Sequence, residues 1–233
     1  MQTSEIALLS IILVFPLADL LLEKYRFKSK SQEYVKTAVI LWVITGFLCY
    51  CFFGGELSIQ APDGLPASTW KIYFAISIFI AFLAYFVYLI SSINNNELIR
   101  QQVLGQLQNG SNSLVDLLPK SRKELLLFTF LVSVTAGICE ELIFRWYLYS
   151  FLEQQTNWIV AILGSSMIFG LWHFYLGWRH VLRTAIIGIV FCGVYLYFES
   201  IVVAIIAHII IDVYSGTIAF YAKSNSNHVP IKG

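Results

Sequence analysis

Seven runs of about twenty apolar residues, near positions 5–22, 35–54, 72–93, 125–152, 157–177, 180–198 and 200–222, constrain this chain more than any other feature. Each is long enough to cross a hydrocarbon core of about 30 Å as a helix. A bilayer leaves the backbone no outside hydrogen-bond partner, so such runs must satisfy themselves as helices. The sequence therefore predicts an all-α polytopic transmembrane bundle of about seven spans, with eight as the upper count. Composition agrees: 58% of residues are hydrophobic and 12% charged, and the mean hydropathy is +0.73. Soluble domains carry about 25% charged residues.

The first run has Glu5 ahead of it and Pro16 and Asp19 near its end, a poor match to a removable signal peptide, and is read as a permanent span. Cys49, Cys51, Cys139 and Cys192 all fall inside predicted spans without metal-ligand spacing, and are read as packing residues. A formal net charge of +1 gives no reason to expect nucleic acid as a partner.

The basic residues are sorted by loop. Lys24, Arg26, Lys28, Lys30 and Lys36 follow the first run, and Arg100, Lys120, Arg122 and Lys123 follow the third. Arg179 and Arg183 flank the start of the sixth, and Lys223 and Lys232 end the chain. The intervening loops hold Lys71 among Glu56, Asp63, Glu153 and Glu199. Lys and Arg concentrate in cytoplasmic loops, so the expected orientation is N-out and C-in, in the plasma membrane of a prokaryote.

The whole chain, 1–233, reads as one integral membrane domain: front spans over 1–93, a cytoplasmic segment over 94–124, catalytic helices over 125–222 and a disordered tail over 223–233. Within 94–124, Leu98, Ile99, Val103, Leu104 and Leu107 can line one face of a helix lying in the membrane interface, closed by a Gln-Asn-Gly-Ser-Asn-Ser turn. A solvated linker is the alternative. No internal repeat is visible, which counts against an inverted-repeat transporter.

The back four runs carry groups that are costly in lipid. Glu140, Glu141 and Arg145 lie on the fourth, His173 on the fifth, and His208 and Asp212 on the seventh. A charge facing lipid at mid-helix costs ~2.5–3.5 kcal/mol or more. Glu141 and Arg145 are four apart, share a helix face and can neutralise each other. Glu140 points ~100° away and has no partner on that helix, leaving its carboxyl available as a general acid or base. His208 and Asp212 repeat the four-residue spacing, as do Phe169 and His173. Together these groups predict a polar pocket among the back four helices, able to hold a water and activate it for attack on a carbonyl. Alone, each has a plainer role: Glu141–Arg145 as a clamp between helices, a lone histidine as a helix–helix hydrogen bonder, His180 as a solvated interfacial residue.

These residues also carry a resemblance. "EELIFR" at Glu140 to Arg145, "FGLWH" at Phe169 to His173 and "HIIID" at His208 to Asp212 resemble, in order, the motifs of the CPBP group of intramembrane proteases. That group takes in CAAX proteases and bacteriocin-processing enzymes, including the type II CAAX prenyl endopeptidases. The resemblance covers roughly residues 120–222. It implies an intramembrane endopeptidase in which Glu140 and His173 activate the attacking water, His208 and Asp212 stabilise the oxyanion, and Glu141, Arg145 and Phe169 order the site. Where the prenyl endopeptidases carry Asn, this chain has Asp212, and an ionised carboxylate cannot donate to an oxyanion. The implied substrate is a membrane-associated peptide or lipidated protein, with a prenylated CAAX tail as one candidate. No cofactor is required in the preferred glutamate-based mechanism; in a metallo-type alternative, zinc would be held by Glu140, His173 and His208. The other functions weighed are a non-catalytic membrane adaptor or bacteriocin-immunity protein and a proton-coupled carrier.

Overall fold

The structure is a computed structural model and describes residues 2–22, 25, 27, 29–108 and 117–226. Among these, eight helices carry the architecture: α1 (Thr3–Leu22), α2 (Lys30–Phe53), α3 (Thr69–Asn95), α4 (Glu97–Gln108), α5 (Arg122–Gln155), α6 (Trp158–Leu171), α7 (Trp178–Phe198) and α8 (Ile201–Ser226). Six of them, α1, α2, α3, α5, α7 and α8, are long and apolar enough to cross a membrane. The all-helical polytopic bundle expected from the sequence is the fold observed.

The fifth apolar run differs from expectation. Helix α6 has 14 residues, about 21 Å at 1.5 Å per residue, so the helix alone falls short of the ~30 Å core and the turn that follows it completes the passage to the end of the bundle where Lys30 and Lys120 lie. The chain leaves helical geometry after Leu171 and makes a 3₁₀ turn over Phe174–Leu176, closed by Gly177 at φ 97°, a conformation that suits a residue without Cβ. Apolar periodicity does not register that break, because Trp172, Phe174, Tyr175 and Leu176 continue the hydrophobic run.

One end of the bundle is tied where α2 begins. Lys30 Nζ donates to the Leu118 carbonyl at 2.7 Å, and the Tyr34 hydroxyl to the Leu117 carbonyl at 2.5 Å. The opposite end is closed by the loop between α2 and α3: Trp146 Nε1 donates to the Gln60 carbonyl at 2.7 Å, and the Ser200 hydroxyl to the Gly64 carbonyl at 2.5 Å. Between these ends runs the core, where Leu8 and Ile12 of α1, Leu48 of α2 and Ile143, Phe144 and Tyr147 of α5 are fully buried. Outward-facing side chains such as Leu17, Ile80 and Val190 stay exposed, as a lipid solvent permits.

Helix α4 forms where the interfacial helix was expected, but its apolar face turns inward. Ile99, Val103, Leu104 and Leu107 pack on Ile93, Ile218 and Ala222, while Leu98 is exposed. The cover exists because α8 continues to Ser226, into the tail expected to be disordered. The predicted turn after Gln108, the tail beyond Ser226 with His228 and Lys232, and Lys24, Arg26 and Lys28 lie outside the described residues.

Candidate active site

Three elements deliver the polar residues: α5 brings Glu140, Glu141 and Arg145, the end of α6 and its turn bring Phe169 and His173, and α8 brings His208 and Asp212. Two glycines set how closely these elements approach. A Cβ on Gly137 would lie 2.4 Å from Ile209 Cγ1 and 3.2 Å from the Ile205 carbonyl oxygen, so α5 and α8 touch there backbone to backbone. A Cβ on Gly170 would lie 2.6 Å from the Val181 carbonyl oxygen, which brings α6 equally close to α7. Glu141 is one turn beyond the first contact, and His173 three residues beyond the second. Helix α5 widens into a π-helical stretch over Leu142–Leu148, immediately after the two glutamates. Such stretches concentrate at functional sites, where they re-aim side chains.

Glu141 is the hub. Its Oε1 lies 3.0 Å from Arg145 Nη1, as the four-residue spacing predicts. The same oxygen accepts a hydrogen bond from His208 Nδ1 at 2.7 Å. All three side chains are buried. Arg145 is further accommodated by the faces of Phe169, 4.2 Å from its guanidinium carbon, and Phe191, 5.2 Å away, with its Nη2 3.5 Å from the Gly188 carbonyl. Guanidinium tolerates this setting because it is weakly hydrated and stacks on aromatic faces.

With Nδ1 committed to Glu141, His208 turns Nε2 towards Glu140 Oε2 at 3.7 Å and Asp212 Oδ2 at 3.8 Å. Both separations exceed a direct hydrogen bond. The imidazole stacks on Phe191 with centroids 4.8 Å apart and an interplanar angle of 17°. His173 is oriented differently: its Nδ1 lies 3.1 Å from the Phe169 carbonyl. A carbonyl only accepts, so Nδ1 carries the proton and, in neutral imidazole, Nε2 keeps the lone pair.

His173 and Glu140 line one cleft of about 380 Å³, together with Trp172, Tyr34, Lys30 and Lys120. His208 and Asp212 are not among its lining residues; they sit behind Glu140. Phe27, Lys36 and Ile40 are shared between this cleft and a largely apolar groove bordered by Val39 and Leu127. The predicted residues are thus gathered into one region with an open face, backed by a buried His208 and a part-exposed Asp212. Among the described residues no three His, Cys, Asp or Glu side chains are grouped so as to hold a metal ion.

Sequence reasoning missed the front helices' share of the cleft, since α1 and α2 carry no pattern pointing inward. It also missed Phe191 and Gly188, on a helix whose run looks uniformly apolar. His180, read as solvated, is part-buried, with its ring centroid 6.3 Å from that of His173.

Residues 122–214 match the family model described as Type II CAAX prenyl endopeptidase Rce1-like. All three motifs lie within that stretch. The chain is also 35% identical over 82 residues to "Putative membrane peptidase YdiL" of Bacillus subtilis (strain 168), covering 35% of this chain and 33% of that protein. The aligned stretch therefore spans about a third of the curated relative's length. No solved structure matches. The similarity is confined to residues 122–214, the stretch that carries the three motifs, in a chain whose apolar helices make it an integral membrane protein.

Proposed function

We propose that the chain, similar over residues 122–214 to the Rce1-like endopeptidases, hydrolyses a peptide bond near the terminus of a membrane-associated protein or peptide. One observation carries the reading: Glu140 and His173 arrive from different elements at one cleft, while Glu141 holds His208 behind them. Water held between the Glu140 carboxylate and His173 Nε2 gives its proton to Glu140 as its oxygen bonds the scissile carbonyl carbon. Glu140 returns that proton to the leaving nitrogen as the C–N bond breaks. His208, held by Glu141 through Nδ1 and facing Glu140 from behind, keeps Glu140 oriented for both proton transfers; the oxyanion role that the resemblance implies for it requires the substrate carbonyl to enter beside Glu140. Asp212, acceptor-only when ionised, steadies His208 and makes no oxyanion contact.

The mechanism uses no metal. A substrate with an apolar anchor is favoured because the cleft is confluent with an apolar groove. A prenylated CAAX tail fits that description; bacteriocin leaders and sorting tails are the other candidates. Lys30, Lys36 and Lys120 line the cleft, which supports a cytoplasmic opening with N-out, C-in orientation in a prokaryotic plasma membrane.

The test is hydrolysis of a panel of tail peptides, with and without a prenyl group, by purified protein in vesicles. Wild type should cleave at least one, with undiminished rate in the presence of a zinc chelator. Glu140→Gln and His173→Ala, inserted to the same level, should each lose turnover by a factor of at least ~10². Full activity in either variant contradicts the roles given to it.

A further inference from the structure

Helix α1 lies outside the stretch that matches the endopeptidase model, yet it reaches the turn carrying His173. Pro16 is inside α1. A proline has no N–H for the carbonyl four residues earlier, and its ring pushes that carbonyl out of the helical ladder. On α1 this is the carbonyl of Ile12, a residue that is fully buried. A bare carbonyl there needs a donor. The donor is Trp172, whose Nε1 lies 2.9 Å from Ile12 O. The indole is held on both sides, by Phe15 of α1 with centroids 4.2 Å apart and by Phe144 of α5 at 4.9 Å. The next residue is His173.

We propose that Pro16 and Trp172 are a positioning couple: the carbonyl released by Pro16 anchors the Trp172 indole, and the anchored turn holds His173 Nε2 towards Glu140 across the cleft. Trp172 ends α6 and receives no restraint from a following helical turn, because the chain passes directly into the 3₁₀ segment. The Nδ1 bond of His173 to Phe169 fixes the ring relative to α6; the indole bond fixes the turn relative to α1. Both are needed to set the ring against a group on α5. Neither Pro16 nor Trp172 contributes a proton-transferring atom, so they act through His173 and are not catalytic residues.

The inference rests on the proposed hydrolytic role of His173, and its test is chosen to survive failure of that role. The full chain in micelles, with ¹⁵N-labelled indole and imidazole, should show a hydrogen-bonded, slowly exchanging Trp172 Nε1–H and a His173 ring held in its Nδ1–H tautomer. Pro16→Ala restores a backbone donor at position 16 and lets α1 straighten. It should shift the indole resonance upfield, speed its exchange and move the His173 Nε2 resonance while the Nδ1–H tautomer persists, without lowering thermal stability. On any tail peptide that wild type cleaves, kcat should fall about fivefold, the rate equivalent of one ordinary hydrogen bond, with KM unchanged. Trp172→Phe should give the same shift of His173 Nε2, and adding Pro16→Ala to it should change nothing further. Wild-type indole and His173 resonances in Pro16→Ala, or a raised KM at constant kcat, would overturn the couple. If instead Glu140→Gln keeps wild-type activity, the hydrolytic reading fails while the resonances still decide the couple.

Discussion

At Glu141 one carboxylate oxygen serves both a guanidinium and an imidazole, so this residue decides two things at once: whether Arg145 is neutralised and how His208 is turned. Removing one partner of a buried pair leaves the other charged and unpaired, which costs about 3–5 kcal/mol. Arg145→Ala should therefore lower unfolding free energy in micelles, by less than that full amount because the His208 bond to Glu141 remains. A change below about 1 kcal/mol would mean that solvent reaches the pair and screens it. Glu141 and Arg145 could be paired from sequence, because four-residue spacing on a helix is a local rule. The bond from His208 could not be, since it joins residues 67 positions apart and depends on which faces of α5 and α8 meet.

That meeting is settled by elements and not by the charged residues. Gly137 leaves no room for a Cβ against Ile209, and in lipid, where apolar surface alone does not drive helices together, close backbone approach supplies much of the association. Gly137→Ala forces α8 outward or makes Ile209 change rotamer, an overpacking cost of about 1–3 kcal/mol. The expected result is lower thermal stability together with loss of the His208–Glu141 bond, read from His208 ring-nitrogen shifts. Unchanged shifts would show that Ile209 absorbs the methyl and that the glycine does not set the spacing. At this scale the long apolar runs announced six of the helices, because length and hydropathy are all that a span requires. The early end of α6 was not announced, because its cause is a turn made of apolar residues. Helix α4 was legible as a helix and misread as to what its apolar face touches, since a face that suits lipid suits α8 equally well.

For the molecule as a whole, the three motifs point to a site in the back helices, and all three fall within residues 122–214, the stretch that matches the endopeptidase model. The cleft is nevertheless a joint product, with Tyr34 and Lys30 of α2 facing Glu140 and His173; the Glu33–Lys36 pair of α2 lines it too, but a three-residue pair near a helix start reads in sequence as an ordinary interfacial pair. The proposed orientation puts the cleft mouth and α4 in the cytoplasm. Single cysteines at Gln101 and Gln155, both exposed, in a background lacking the four native cysteines, should react with an impermeant maleimide from the inner and the outer side respectively. The reverse pattern would invert the molecule and move substrate access outside. The account's central claim is hydrolysis dependent on Glu140, and it is tested most directly by mass spectrometry of membrane-protein termini in the native host, with wild type against Glu140→Ala at equal expression. The account predicts new termini present only with wild type, and their sequences would name the substrate. Identical termini in the two strains, with the mutant still rescuing any deletion phenotype, would contradict it.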